Sequence, residues 1–255
     1  MSTMKTGKKE RKIGSSPRRS APVRRVRAGW ARVLALWAVS LLMIGCDGAE
    51  RNVTPARDGA PAPAERSSDV VLFLGTSLTA GYGLPGEQAY PARIQEKIDS
   101  AGLPFRVVNA GVSGETSAGA LRRLDWLLRQ PFDVLVLETG ANDMLRGTHP
   151  DSTRANIHAM IRRVREQRPE ARVILAGMLA LPNLGREYGQ RFETIYRDVA
   201  RQENVTLVPF LLEGVATEPR LNLADGIHPN EAGQRHVART VWAALEPVLR
   251  EEAGR

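Results

Sequence analysis

The strongest chemical signal in the chain is a short turn in which an aspartate, Asp225, precedes a histidine, His228, by three residues. At that spacing the carboxylate can hold one imidazole nitrogen and fix the tautomer, while the other nitrogen faces a nucleophile. Pro229 restricts the backbone directly after the histidine, before a predicted helix begins. A surface turn with an incidental histidine has the same composition, so the pair indicates catalysis only together with a nucleophile elsewhere in the chain.

A serine supplies the candidate nucleophile. Ser77 comes directly after a predicted buried strand, in the sequence Gly-Thr-Ser-Leu, where Gly75 permits a tight turn. This position places the hydroxyl at the edge of a sheet, where an imidazole can remove its proton. Serine and threonine at strand ends are also common as helix caps and turn residues, and the tripeptide alone favours that interpretation.

Two further strand ends carry groups that can donate hydrogen bonds. The glycine of Asn109-Ala110-Gly111 leaves its backbone N–H open to close approach by a ligand, although the segment also fits a loop in which Thr116 caps the next helix. Asn142 follows the third strand and has an amide that can donate to a developing oxyanion. Equally, an asparagine at this place can cap a short helix.

Apolar runs alternate with helix-like patterns from residue 69 onward. The predicted strands are 70–74, 106–109, 133–139, 172–178 and 206–209. The predicted helices are 90–100, 116–129, 152–168, 187–203 and 231–249. Continuous apolar strands are typical of a parallel sheet that helices cover on both faces. The alternation therefore predicts an α/β fold, a three-layer α/β/α sandwich around a five-stranded, flavodoxin-like parallel sheet.

This fold predicts where the residues that follow the strands lie. In open α/β sheets, ligands bind at the carboxyl ends of the strands. Ser77, Gly111 and Asn142 each follow a predicted strand, so we expect them to meet at one edge of the sheet.

The N-terminal part of the chain differs in charge from the rest. Residues 1–32 contain eleven Lys or Arg and one acidic residue, whereas the whole chain has a formal net charge of only +8, so residues 33–255 are slightly acidic. Because the basic residues precede the body of the protein instead of forming a patch on it, we expect no nucleic-acid partner.

An apolar run at 33–45 follows the basic segment and is shorter than the membrane-spanning length of about 20 residues. We interpret 1–46 as a secretory signal peptide. The sequence Met-Ile-Gly-Cys at 43–46 resembles a bacterial lipobox, which implies lipidation of Cys46 and attachment at the periplasmic face of a membrane. The alternative is an ordinary signal peptide with a chance cysteine, which would leave a soluble periplasmic protein.

The remaining chain divides into a tether and one domain. Residues 47–68 combine Pro, Ala, Gly and charge without apolar periodicity, so we expect a disordered tether. As a flexible coil, a segment of this length would span on the order of 25 Å. Residues 69–255 show no internal repeat and no second linker, which predicts a single domain.

The strand-end segments and the Asp/His turn resemble the four sequence blocks of the SGNH (GDSL-type) hydrolases. The matching residues are Ser77 in Gly-Thr-Ser-Leu, Gly111 in Asn-Ala-Gly, Asn142 in Gly-Ala-Asn-Asp and His228 in Asp-Gly-Ile-His-Pro. They occur in the family's order over roughly 70–249. Asn-Ala-Gly-Val-Ser-Gly-Glu-Thr-Ser, and Leu-Pro-Asn-Leu-Gly further along, are most similar to the bacterial periplasmic thioesterase, lysophospholipase and arylesterase branch.

This resemblance implies a serine ester hydrolase acting on small acyl esters or thioesters. Ser77 would be the acylated nucleophile, His228 its base and Asp225 the residue that orients the imidazole. The oxyanion would be held by the N–H groups of Ser77 and Gly111 and by the Asn142 side chain. No His/Cys/Asp/Glu set has the spacing of metal ligands, so we expect neither a metal nor another cofactor.

Two features of the resemblance bear on specificity and local structure. Thr76 stands where the family usually has aspartate before the nucleophile. Because that aspartate is outside the triad, we expect activity to survive with different local hydrogen bonding.

Leu179, Leu181 and Pro182 follow the fourth strand and would line an acyl pocket. The alternative is a loop whose leucines complete the core.

Two other functions stay open at this stage. The same chemistry could serve a carbohydrate or cell-envelope O-acetyl esterase, which the family also includes. A tethered flavodoxin-like lipoprotein could instead bind an envelope component without catalysis, although the presence of all four blocks argues against that alternative.

Overall fold

The computed structural model of the protein describes residues 69–255. The predicted signal peptide (1–46, with Cys46) and the predicted tether (47–68) lie outside the described residues. Five parallel strands form one sheet in the order β2-β1-β3-β4-β5. They are β1 (Asp69–Gly75), β2 (Phe105–Gly111), β3 (Val134–Glu138), β4 (Arg172–Ala176) and β5 (Thr206–Val208).

Helices cover both faces of this sheet. They are α1 (Ser77–Ala80), α2 (Tyr90–Ser100), α3 (Ser117–Leu127), α4 (Ala141–Leu145), α5 (Pro150–Gln167), α6 (Arg186–Gln202) and α7 (Glu231–Ala253). α2 packs against α7, while α3 and α6 both pack against α5. The predicted three-layer α/β/α sandwich with a five-stranded parallel sheet is confirmed, and its strand order is that of flavodoxin-like folds.

The burial of the strands explains why this sheet forms. All five residues of β3 are buried, and six of the seven in β1 are buried as well. A strand with apolar side chains on both faces is stabilised when helices cover both faces and exclude water from them. The central positions that β1 and β3 occupy in the sheet provide this cover. The predicted strand boundaries are correct to within two residues.

Two short helices, α1 and α4, follow β1 and β3 directly and were not predicted as separate elements. Each has only four or five residues, too few to show a helical period in the sequence. The last helix runs to Ala253, four residues beyond its predicted end. Within the described part of the chain, no helix is both long enough and apolar enough to cross a membrane.

Gly75 permits the tight turn from β1 into α1 because it has no side chain, and a positive φ is not involved. Gly75 is the last residue of β1 and is not among the residues with positive φ. A Cβ on Gly75 would lie 2.0 Å from Thr79 Oγ1 and 2.7 Å from Glu138 Oε2. The position therefore requires glycine because α1 and β3 approach the strand end closely, which leaves no room for a side chain.

The sheet register brings the strand ends to one edge. Gly75 at the end of β1 pairs with Gly111 at the end of β2, and Leu74 pairs with Leu137 one residue before the end of β3. The chain turns to opposite sides of β1 to form β2 and then β3, so the end of β1 is the topological switch point where ligands of such sheets bind.

Candidate active site

Ser77, His228 and Asp225 form one hydrogen-bonded chain at this switch point. Ser77 Oγ lies 2.9 Å from His228 Nε2, and His228 Nδ1 lies 2.7 Å from Asp225 Oδ2. A serine, a histidine and a carboxylate in this order are the arrangement that makes a serine hydroxyl nucleophilic. The predicted trio is thus brought together by the structure.

The turn that carries the histidine is stabilised by hydrogen bonds between the Asp225 side chain and the backbone of the turn. Asp225 Oδ1 accepts the N–H groups of Ile227 and His228, at 2.9 Å and 3.0 Å. At the base of the turn, Asn222 and Pro229 form an antiparallel bridge. Hydrogen bonds from the backbone N–H and from the side chain of His228, followed by that from Ile227, lower the pKa of Asp225 to about 2. Asp225 is therefore a carboxylate at neutral pH.

An aromatic ring lies against the imidazole. The ring centroids of Tyr82 and His228 are 4.4 Å apart with an angle of 36° between the planes. Such a contact restricts the imidazole on the side that the aspartate does not hold. Nothing in the local sequence pattern marks Tyr82, because its contact with His228 joins two loops that are distant in sequence.

Three hydrogen-bond donors surround the nucleophile. Ser77 is the first residue of α1, where a backbone N–H has no acceptor within the helix. The Asn142 side chain lines the same cavity as Ser77, and its amide donates one hydrogen to Glu115 O at 3.0 Å, which leaves the second hydrogen free. Gly114 also lines this cavity, with φ +78°, and its N–H has no acceptor among the described residues.

The prediction that Gly111 supplies an oxyanion donor is contradicted by its contacts. The Gly111 N–H donates to Asn109 Oδ1 at 2.9 Å, and Gly111 is absent from the lining of the Ser77 cavity. A Cβ here would lie 2.3 Å from Ala80 N, so this glycine is needed for the close contact between β2 and α1. Within the segment that follows β2, the glycine that lines the cavity is Gly114, three residues later.

The residue before the nucleophile is tied to a buried carboxyl. Thr76 donates its N–H to Glu138 Oε2 at 2.6 Å, and its hydroxyl lies 2.9 Å from Glu138 Oε1. The Thr79 hydroxyl lies 2.9 Å from Glu138 Oε2 and 2.8 Å from the Tyr90 hydroxyl. Burial raises the pKa of Glu138 in spite of these hydrogen bonds. This network is the local hydrogen bonding that replaces the aspartate usual for the SGNH resemblance.

An apolar cavity of about 490 Å³ opens beside Ser77 and His228. Its wall includes Leu179 and Leu181, as predicted, but Pro182 is not part of it. Pro182 is exposed and begins a short 3₁₀ turn (Pro182–Leu184) that leads away toward α6. No sequence pattern indicated the other large apolar side chains of the wall, which are Leu78, Tyr82, Met144, Leu145, Met178, Phe210, Leu212 and Ile227.

A metal site would need several ligating side chains together. Among residues 69–255, no group of three or more His, Cys, Asp or Glu side chains is placed to hold a metal ion.

Similarity to known proteins identifies the family. Residues 73–236 match the GDSL-like Lipase/Acylhydrolase family. The chain belongs to this family. Esterase TesA from Pseudomonas aeruginosa is 40% identical over 186 residues, which cover 72% of this chain and 92% of the relative. The Escherichia coli protein named thioesterase 1/protease 1/lysophospholipase L1 is 37% identical over 190 residues, which cover 73% and 88%.

A solved structure supports the same assignment. The crystal structure of TesA superposes with a TM-score of 0.68 at 40% identity, covering 71% of this chain and 99% of that one. This GDSL-like protein is a serine hydrolase of carboxylic esters, as the SGNH resemblance implies.

Proposed function

We propose that Ser77 is the acylated nucleophile and His228 its base. His228 Nε2 takes the hydroxyl proton of Ser77 as Oγ attacks the substrate carbonyl, and the tetrahedral intermediate collapses when the imidazolium returns that proton to the leaving alcohol or thiol. Water then hydrolyses the acyl-serine with the same base. Asp225 stays ionised and stabilises the imidazolium. The observation that carries this proposal is the unbroken hydrogen-bonded chain of 2.9 Å and 2.7 Å.

The oxyanion in this proposal is held by the Ser77 N–H, the Gly114 N–H and the Asn142 side chain. Support comes from the position of Ser77 at the start of α1 and from the cavity that Gly114 and Asn142 share with it. Donors fixed in advance at the place where negative charge develops lower the barrier without reorganisation during the reaction.

The substrate in this proposal is a carboxylic ester or thioester with a medium-length acyl chain. The cavity wall consists mainly of aliphatic and aromatic side chains, and its volume of about 490 Å³ is far larger than an acetyl group needs. A site for a carbohydrate O-acetyl ester would need polar groups for the sugar, and the wall of this cavity offers few beyond the catalytic ones. The lipase, thioesterase and arylesterase type of substrate is therefore better supported than the O-acetyl ester.

We further propose that the enzyme acts outside the cytoplasm, anchored by a lipid on Cys46. The support is the order of the N-terminal segments: a basic stretch, an apolar run of thirteen residues and a cysteine at its end. Metabolic labelling with a palmitate analogue in a bacterial host tests the anchor, with Cys46→Ser as the control that should lose the label.

A chain-length series tests the catalytic proposal. p-Nitrophenyl esters and acyl thioesters from two to twelve carbons are compared with the purified enzyme. The proposal expects the highest kcat/KM at medium chain lengths, and Ser77→Ala should abolish the reaction. Activity confined to acetyl esters would support the O-acetyl esterase instead, and unchanged activity of Ser77→Ala would contradict the assigned nucleophile. A phosphonate probe should label Ser77 and no other residue.

A further inference from the structure

Helix α4 holds the loop that carries Gly114. We define the Gly114 loop as residues 112–116, between β2 and α3. Asn142 donates its amide to Glu115 O at 3.0 Å, and Arg146 Nη2 donates to Gly114 O at 2.8 Å. Two successive carbonyls of the loop are thus bound by side chains of one short helix and of its C-terminal neighbour.

The third contact is a buried pair at the end of this loop. Asp143 Oδ2 accepts the Ser117 N–H at 2.7 Å, and Asp143 Oδ1 accepts the Ser117 hydroxyl at 2.5 Å. Both residues are almost completely buried. Ser117 begins α3, so the carboxylate satisfies an N–H that has no acceptor within the helix and lies at its positive end.

The surroundings of the pair fix its orientation. Asn156 donates its amide to Ser117 Oγ at 2.9 Å, so the hydroxyl hydrogen is directed to Asp143. Thr153, on α5, has its Oγ1 3.3 Å from the same carboxylate oxygen and makes no hydrogen bond to the Gly114 loop. The pair therefore joins α4 to the start of α3 with two short hydrogen bonds.

This arrangement sets the distance between two groups that the proposed function places around the oxyanion. Asn142 is the chain neighbour of Asp143, and Gly114 lies three residues before Ser117. We propose that Asp143, acting through Ser117, and Arg146 are positioning residues. They hold the Gly114 N–H and the Asn142 amide at a fixed distance from each other. This inference rests on the proposed function of Ser77. Misplacement of such groups by about 1 Å can cost on the order of 10²-fold in rate.

Ser117→Ala removes the 2.5 Å bond to Asp143 and the acceptor of the Asn156 amide, and it keeps the backbone N–H that donates to Asp143. We expect kcat to fall about tenfold to a hundredfold, while KM stays within about twofold and the pH dependence of kcat/KM keeps its shape, because Ser77, His228 and Asp225 are untouched. Thr153→Val is the matched control: it removes a hydrogen bond to the same buried carboxylate but does not touch the loop, and it should leave kcat unchanged.

Arg146 gives a second variant at an exposed position, where folding is not at risk. Arg146→Ala should lower kcat about threefold to tenfold at unchanged KM, and Arg146→Lys, which can still donate to Gly114 O, should recover part of the loss. Hydrogen exchange of the 113–117 amides gives a readout without catalysis: it should quicken in Ser117→Ala and Arg146→Ala but not in Thr153→Val.

The outcomes separate this inference from the proposed function. Unchanged kcat and unchanged exchange in both Ser117→Ala and Arg146→Ala would overturn the positioning role. An equal loss of kcat in Thr153→Val would also overturn it, since the effect would then be general to the buried carboxylate. Full activity of Ser77→Ala would instead remove the proposed nucleophile, while the exchange data would still test whether α4 holds the loop.

Discussion

Thr76 donates its backbone N–H to Glu138 Oε2 across 2.6 Å, although the two residues are 62 positions apart. The bond joins the last residue of β3 to the residue directly before the nucleophile. Burial raises the pKa of Glu138, and the backbone of Thr76 leads into Ser77. The protonation state of one buried carboxyl is therefore coupled to the turn that presents the serine.

Glu138→Gln should change how stability depends on pH. A carboxyl whose pKa is raised by folding contributes its full stability below its unfolded pKa, about 4.3, and loses it as the pH rises through the folded value. The free energy of unfolding of the wild type relative to Glu138→Gln should thus fall as the pH is raised from about 4. Urea denaturation across a pH series measures this. Glu87→Gln, which removes an exposed carboxyl, is measured alongside as the control variant. A free-energy difference between the wild type and Glu138→Gln that grows with pH would contradict the predicted direction.

Asp225→Asn should lower activity far more than stability. The amide replaces a carboxylate that faces His228 Nδ1, so the favoured tautomer and the stabilised imidazolium are lost, and kcat should drop by about 10²–10⁴-fold. The amide oxygen can still accept the N–H groups of Ile227 and His228, so we expect a Tm change of only about 2 °C. Steady-state kinetics and thermal unfolding check both parts. A kcat within threefold of the wild type would argue against the orienting role of Asp225.

Gly111→Ala should act on folding, since its N–H is already bound to Asn109. The new Cβ would lie 2.3 Å from Ala80 N, and overpacking of this kind costs about 1–3 kcal/mol in the free energy of unfolding. Gly86→Ala is the control, because a Cβ there meets nothing within 4 Å and its φ is not positive. If Gly111→Ala unfolds at the wild-type denaturant midpoint but loses activity, the packing role of Gly111 is wrong, and the result would favour a role for Gly111 in binding the oxyanion.

Leu181→Ala should weaken the reaction of long-chain esters only. Leu181 lines the cavity and is 40% exposed, so its loss removes about 1 kcal/mol of apolar contact with an octanoyl chain, a roughly fivefold lower kcat/KM. Acetyl esters should be unaffected. Pro182→Ala, next in sequence but outside the cavity wall, should change neither substrate. Equal losses of kcat/KM in Leu181→Ala and Pro182→Ala would contradict a specific contact between Leu181 and the acyl chain.

The fold was predictable because strands such as β3 carry consecutive apolar residues and alternate with helical patterns, which is typical of a parallel sheet covered on both faces. Ser77, Asn142 and the Asp225/His228 pair were proposed from the sequence because their signals, each weak alone, occur together in the order of the SGNH blocks. The choice between Gly111 and Gly114 was not predictable, since it depends on which backbone N–H faces the cavity. That orientation is set by dihedral angles and by contacts across the sheet edge.

The hydrogen-bond partners of Thr76 and Ser117 were not predictable from the sequence either. Their carboxylates, Glu138 and Asp143, come from positions 62 and 26 residues away, and no local pattern pairs them. Hydrogen bonds between distant segments follow from the packing of whole elements, which a single sequence does not show. Tyr82 belongs to the same class, because its ring meets His228 only after α1 and the C-terminal turn are both in place.

The base lies 151 positions after the nucleophile, in a turn that immediately precedes the last helix. That helix is docked at its first turn, where the Gln234 side chain accepts the Tyr90 N–H at 2.8 Å. A chain that ends before this turn therefore contains Ser77 without the imidazole of His228. Ribosome-bound chains that end before Asn222 should be inert toward esters, as an assay of truncated translation products can establish. On the proposed mechanism, hydrolysis requires the turn that carries His228 and the helix that follows it, both of which come after the five strands in the chain.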